Sequence, residues 1–430
     1  MNKGQSSETP KITRIIAALF LVAGTCIGGG MLALPVATGV SGFLPSIVMM
    51  VLCWVSMTAT ALLLLEVSMW LKEGAHIITM TSTILGAPAR ALSWCLYLFI
   101  CYASLIAYTA AGGLQLSLVA QNYLGMAPSK ELGALVFILL FGGVIYLGSR
   151  TVGRVNSILF IAMILAYLGL VDMGITEIKP ELLLARHWAG SVIAIPLLLT
   201  AFSFQTMVPS LTPYLKSHIK GLRIAIVGGT FLTFLIYVVW QTLILGIVPI
   251  EGEHGLAMAL ALGEPATQFL REHVNGKWVY IISEYFSFFA IITSFLGIAF
   301  GLYDFLADGL KIEKNHNGKV ILGLLIVVPT LISAVYFKRI FLVALEASGG
   351  FGDTVLNGMI PVLMVWWGRY RLGLSKQGDY RLIGGKPMLV LLFAFFAGAL
   401  VLSLAIQTGQ LAELYAPYEV PVHNLESISE

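Results

Sequence analysis

Charge is what this sequence lacks most. Asp, Glu, Lys and Arg make up 11% of its 430 residues, where soluble domains carry about 25%, so the chain cannot cover a water-facing surface. The net charge of +3 is too small to argue for a nucleic-acid partner. The four cysteines, Cys26, Cys53, Cys95 and Cys101, all fall inside apolar stretches without metal-ligand spacing, which leaves no disulfide framework and no zinc site. No cofactor or metal is called for. No GxxxxGK[ST] loop occurs, and no connection between apolar stretches is long enough for a soluble domain. Any uphill work must therefore draw on an ion gradient. The seven histidines, at 76, 187, 218, 254, 273, 316 and 423, are scattered, against the clustering that a membrane-embedded enzyme needs.

Apolar length is what the sequence has in excess. Apolar residues make up 58% of it and the mean hydropathy is +0.91, so its main solvent is a lipid bilayer. A span needs about 20 mostly apolar residues, because hydrocarbon satisfies no free peptide group. Eleven such stretches are expected, at about 12–37, 43–66, 92–118, 132–148, 155–173, 189–213, 222–248, 278–307, 319–336, 340–367 and 387–407. The fourth and ninth are short, and the tenth is interrupted by Glu346, Asp353 and four glycines. If residues 1–11 form a cytoplasmic tail, 18 of the 25 basic residues fall on the inner side and 7 on the outer, the bias that inner connections carry. The tail 408–430, without Lys or Arg, is then external. Ile15–Ala23 followed by Cys26 mimics a cleaved lipoprotein signal, but the apolar pattern runs on to Ala37 and Thr25 is bulky beside a cleavage site.

Two spans carry helix breakers at mid-depth. In the first, Gly24, Gly28, Gly29 and Gly30 fall within seven residues, each costing a helix about 1 kcal/mol relative to Ala. A small-residue packing face is the other reading, yet three adjacent glycines point in three directions. In the sixth, Pro196, Pro209 and Pro213 flank Thr200–Thr206 and predict an interruption between about 201 and 209. The two spans run in opposite directions. Broken helices in matching places of antiparallel halves point to an inverted-repeat transporter of the LeuT type. The expected all-α architecture is a five-helix repeat over 12–173, a second over 189–367, and an extra helix at 387–407. Unwound backbone at Gly24, Thr25, Gly28, Gly29, Gly30 and Met31 offers amides to a carboxylate. Carbonyls freed around Phe202 and Ser203 suit an ammonium. Together they match an α-amino acid zwitterion.

Collinear motifs from residue 20 to 390 carry a resemblance. They are Val22–Pro35, Ala61–Val67, Phe202–Gln205 leading to Val208–Ser210, Thr293–Gly297 through Gly301–Asp304, and Tyr380–Arg381 with Gly384–Pro387. At these residues the chain resembles the hydroxy and aromatic amino acid permeases, specifically their tyrosine-specific branch. The resemblance implies proton-coupled uptake of an aromatic amino acid across a bacterial inner membrane, on the amino acid/polyamine/organocation fold. One departure matters: the family commonly has His after the sixth-span aromatic pair, and here Gln205 stands there. Tryptophan or phenylalanine as substrate, sodium as the coupling ion, and a sensor that binds without transporting remain open.

Other intramembrane polar residues are weighed individually. Tyr108, halfway along the third span, must find a hydrogen-bond partner and is a candidate substrate contact, with Tyr102 a weaker one beside its reading as an interface anchor. Phe202 and Phe204 are expected to wall an aromatic pocket. Glu284, Ser287, Ser294, Gly297, Gly301, Asp304 and Asp308 share one side of the eighth span, a polar and small stripe facing protein or water. The hydroxyls of Thr293 and Ser294 resemble the pair that holds sodium in sodium-coupled members of the wider fold. In some proton-coupled relatives a Lys on the fifth helix replaces that sodium, and 155–173 has no Lys. Glu284 is the first candidate for the proton carrier and Glu66 the second; Glu66 is equally placed to pair with a loop cation.

Overall fold

A computed structural model describes residues 12–71, 75–126, 128–216, 218–270, 272–274, 277–337, 339–374 and 380–411. The expected tail 1–11 and all but the first four residues of the expected tail 408–430 lie outside the described residues. No strand occurs among those described.

The helices fall into two runs of the same pattern. In the first, α1 (Ile12–Cys26) and α2 (Gly29–Gly39) form one span bent by 55°. They are followed by α3 (Phe43–Trp70), a short α4 (Ile77–Leu85), α5 (Ala87–Leu124), α6 (Lys130–Tyr146) and α7 (Ser149–Gly174). In the second, α8 (Ile195–Ala201) and α9 (Val208–Tyr214) flank the other break. They are followed by α10 (Ile219–Ile247), a short α11 (Leu256–Leu262), α12 (Lys277–Leu310), α13 (His316–Tyr336), and α14 (Ile340–Ala347) running through a π-helical stretch, Ser348–Met359, into α15 (Ile360–Tyr370). A broken pair, a long helix, a short helix and a longer helix open each run. The last helix, α16 (Gly385–Gln407), belongs to neither.

Among the described residues, eight helices are long and apolar enough to cross a membrane, or nine with the bent pair counted as one span. The expected total of eleven is reached only if α6, with 17 residues, and the run from α14 to α15 are counted too. The helix ends follow local chemistry. Ser129 caps α6 by accepting from the Leu132 amide at 3.3 Å, and Asn315 caps α13 by accepting from Gly318 at 2.9 Å. Large apolar side chains stay exposed where α6, α7, α13 and α16 face outward, among them Leu139, Ile158, Leu324 and Leu391. Such a surface is stable only against lipid.

Both breaks have the expected position. α1 stops at Cys26 and α2 starts at Gly29 because the chain must pass close to α12 there: a methyl group on Gly28 would run into Ser294 Oγ. α8 ends at Ala201, a single 3₁₀ turn spans Gln205–Met207, and Pro209 sits in the first turn of α9, where its missing amide costs nothing. Pro196 opens α8 rather than breaking it.

Candidate functional site

The two breaks are fastened together. The Tyr237 hydroxyl on α10 lies 2.7 Å from the Cys26 carbonyl, at the end of α1, and 2.9 Å from the Ala201 carbonyl, at the end of α8. One hydroxyl hydrogen serves two acceptors, so the ends of both half-helices share it. Trp240, one turn on, donates Nε1 to the Met31 carbonyl at 2.9 Å. The Gly29 amide donates to Ser294 Oγ at 3.0 Å and ties the first turn of α2 to α12. The Met31 amide donates to the Gly28 carbonyl at 3.0 Å, and the first turn of α2 carries the positive end of that helix.

A second polar knot joins the sixth-span break to the π-helical stretch. Asp353 Oδ1 accepts from Ser203 Oγ at 2.5 Å and from Asn357 Nδ2 at 2.7 Å. Its Oδ2 meets Ser348 Oγ at 3.4 Å. Asn357 Nδ2 also donates to Ser203 Oγ at 3.0 Å, while Asn357 Oδ1 is buried without a partner among the described residues. The Thr354 hydroxyl donates to the Gly349 carbonyl five residues back, the spacing of a π turn, and such turns gather at functional sites.

Between these features lies a cavity of about 770 Å³, inside the range of about 300–1,000 Å³ typical of small-molecule sites. Gly24, Thr25, Gly28 and Gly30 form one wall, Tyr108 and Ser104 of α5 another, Thr293 and Ser294 of α12 a third, and Ser203, Asp353 and Asn357 a fourth. Ile27, Ile100, Phe160, Met207 and Ile298 supply the apolar lining. The cavity runs toward one end of the bundle, where Ala17, Phe20 and Leu21 of α1, Tyr214 of α9 and Asn156 and Ser157 of α7 continue its wall. At the other end α2 is buried along its whole length, and Gln241 Nε2 closes on the Thr38 hydroxyl.

Several expected site residues do not line this cavity. Gln205 is fully buried and turned to α3, donating Nε2 to the Met57 carbonyl at 3.0 Å and accepting from the Phe204 amide through Oε1 at 2.9 Å. Phe204 joins the core formed with α3, α9 and α15, and Phe202 packs on Tyr237 with ring centroids 5.2 Å apart. The expected aromatic walls are thus core residues: between α8 and α9, Ser203, Thr206 and Met207 line the cavity, while Phe202, Phe204 and Gln205 are buried away from it. Met31 is buried beneath α10. Gly29 faces the Tyr108 ring. Tyr102 points to α13 and donates to the Leu325 carbonyl at 2.8 Å.

The two expected proton carriers are also elsewhere. Glu66 is completely buried against Arg369, which gives it the basic partner that sequence reasoning allowed, though a helical cation rather than a loop one. Glu284 lies on α12 beyond the cavity, one turn before Ser287, whose Oγ accepts from Gln115 Nε2 at 2.6 Å. Of the stripe on α12, Ser294, Gly297 and Gly301 line the cavity, and Asp304 pairs with Lys314 at 2.7 Å. Asp353, Asn357 and Ser348 line the cavity outside the residues that the sequence singles out. Their signal was present, since a carboxylate inside an apolar span marks function by default, but Asp353 was counted only as an interruption of the tenth span.

Comparison with known proteins bears on this geometry. The tryptophan/tyrosine permease family matches residues 11–403. The chain is 31% identical over 421 residues to tyrosine-specific transport system 1 of Haemophilus influenzae, covering 93% of this chain and 99% of that one. It is 26% identical over 419 residues to the tryptophan-specific transport protein of the same organism, covering 93% and 96%. Among solved structures, MhsT in complex with L-phenylalanine superposes with a TM-score of 0.63 at 14% identity, over 93% of this chain and 99% of that one. That likeness makes the fold LeuT-like.

Proposed function

The chain belongs to the tryptophan/tyrosine permease family, and from that premise we propose that it is a secondary transporter importing an aromatic amino acid, tyrosine, by proton symport across a bacterial inner membrane. The observation that carries the reading is the cavity itself. It lies between two broken helices, with the positive end of α2 on one wall and the acceptors Ser203, Asp353 and Asn357 on another. A zwitterion fits that polarity: its carboxylate meets the amides of the first turn of α2, its ammonium meets the Ser203 side, and its ring lies among Ile100, Phe160, Met207 and Ile298. The choice of tyrosine follows the relative of 31% identity, which is named for it. With the N-terminus cytoplasmic, as the basic residues favour, the cavity opens inward.

Proton coupling is the part of this reading that rests on the family resemblance of the collinear motifs; the two hydroxyls that could hold sodium make helix contacts. Ser294 Oγ is taken by the Gly29 amide at 3.0 Å. Thr293 Oγ1 donates to the carbonyls of Phe289 and Ala290 at 2.9 and 3.1 Å. Sodium needs several oxygen ligands, and both hydroxyls keep a lone pair for one, so the test is run without sodium. Counterflow of labelled tyrosine in sodium-free proteoliposomes tests the reading. Exchange that a pH gradient converts into accumulation, and that excess tyrosine suppresses more than tryptophan or phenylalanine, is expected. Uptake that requires sodium would move the coupling ion to Thr293 and Ser294; tyrosine binding without exchange would make the protein a sensor.

A further inference from the structure

Resting on the symporter reading above, we propose that Asp353 is the proton-carrying group of this transporter. Among the described residues, Asp353 is the one Asp, Glu, Lys, Arg or His side chain lining the cavity. Coupling needs a titratable group whose access to water changes as the cavity opens to each side in turn. Neither Glu66, enclosed by Arg369, nor Glu284, off the cavity, meets that requirement.

The neighbours of Asp353 are donors rather than cations. The π-helical stretch packs against α3, α5, α8, α14, α15 and α16. The charged groups of those helices are Glu66 on α3, Arg90 at the start of α5, Glu346 on α14, Arg369 on α15 and Lys386 at the start of α16; α8 has none. Glu66 and Arg369 neutralise one another, and neither Arg90, Glu346 nor Lys386 lines the cavity. The other titratable side chains that line the cavity are Cys26 of α1, Tyr97, Cys101 and Tyr108 of α5, and Tyr214 of α9, and none of these is a cation. A carboxylate charge at this depth, with no cation to meet it, costs least when water fills the cavity and most when the cavity closes. Closure therefore requires the proton, which is the condition for symport.

The geometry also gives the proton a place and the substrate a way to sense it. Oδ1 already accepts from Ser203 at 2.5 Å and Asn357 at 2.7 Å, whereas Oδ2 meets Ser348 at 3.4 Å, with the Thr200 hydroxyl also beside the carboxylate. Oδ2 is the oxygen left to bind a proton, in the step carboxylate plus H⁺ to carboxylic acid, reversed on the opposite side. Ser203 lines the cavity next to the carboxylate, on the break beside the proposed substrate position. A substrate ammonium at the Ser203 hydroxyl and a proton on Asp353 then alter the same hydrogen bond.

The test compares wild type, Asp353→Asn, Asp353→Glu and Glu284→Gln in proteoliposomes. Labelled tyrosine counterflow, accumulation on an imposed pH gradient, and acidification of the lumen by added tyrosine are measured together. Wild type and Glu284→Gln should accumulate about tenfold per pH unit and acidify the lumen. Asp353→Asn should keep counterflow, lose accumulation to a ratio of about one and leave lumen pH unchanged. Asp353→Glu, which keeps a titratable group, should still acidify the lumen, with a shifted pH profile. Wild-type accumulation in Asp353→Asn, or an unshifted profile in Asp353→Glu if the Asn variant fails to insert, would overturn the assignment alone. Wild-type protein driven only by sodium would overturn the symporter reading, and the assignment with it.

Discussion

Glu66 on α3 and Arg369 on α15, 303 residues apart in the chain, form a bidentate ion pair with Nε at 2.7 Å and Nη2 at 2.5 Å, both side chains wholly excluded from solvent. The Leu382 amide donates to Glu66 Oε2 at 2.8 Å, and Arg369 Nη2 donates to the Leu382 carbonyl at 2.9 Å. The pair thus joins α3, α15 and the approach to α16 at one end of the bundle. Removing one partner leaves an uncompensated buried charge, at a cost of about 3–5 kcal/mol. Glu66→Gln and Arg369→Met are each expected to lower the melting temperature in detergent, and the double variant to lower it by less than the sum of the two. Accumulation per inserted molecule should stay at the wild-type ratio, because the pair does not touch the cavity. An accumulation ratio of one in Glu66→Gln would return Glu66 to the coupling path.

Gly28 faces Ser294 so closely that a methyl group meets its Oγ, whereas a methyl at Gly30 finds the Ala201 Cα at 3.6 Å, an ordinary contact. Gly28→Ala is expected to reduce tyrosine uptake far more than Gly30→Ala. Ser294→Ala should recover part of the loss at Gly28, because the next atom there, Ser294 Cβ, stands at 3.3 Å. Both Gly28→Leu and Gly30→Leu should abolish uptake without preventing insertion, since both positions line the cavity. Uptake by surface-counted variants checks all three statements.

Selectivity separates Tyr108 from Gln205. Tyr108 lines the cavity, so Tyr108→Phe should weaken competition by tyrosine more than by phenylalanine, by about the 1–3 kcal/mol of an unmet polar group. Gln205 is bonded to the Met57 carbonyl, and Gln205→Leu should affect both substrates alike by loosening the break. A tyrosine-selective loss in Gln205→Leu would bring its amide back to the substrate.

Tyr237→Phe removes the hydroxyl shared by the Cys26 and Ala201 carbonyls. Two buried carbonyls then lose their donor, a cost of about 1–3 kcal/mol. The expected result is a lower melting temperature together with a raised half-saturation concentration for tyrosine, because both half-helix ends border the binding cavity. A change in stability with unaltered transport kinetics would confine Tyr237 to a structural role.

Composition and the length of the apolar runs determined that the chain lives in lipid and is helical, and Gly28–Gly30 and Pro209 determined where two half-helices start. Those are local properties: a glycine run or a proline acts on its own turn whatever surrounds it. The stripe of Ser294, Gly297 and Gly301 was legible too, because α12 keeps its helical period from end to end. Direction inside the breaks was not. Unwound backbone has no period, so nothing in Phe202-Ser203-Phe204-Gln205 says which side chain faces the cavity, and the answer came from Tyr237, Met57 and Asp353 packing around it. Glu66, equally placed by sequence to carry a proton or to pair with a loop cation, meets Arg369 only because α15 packs on α3 across most of the chain. Asp353 was hidden for a third reason: it sits on π turns, whose extra residue moves side chains off the face that a regular helix assigns them, and only the packed structure decided that this face is the cavity wall.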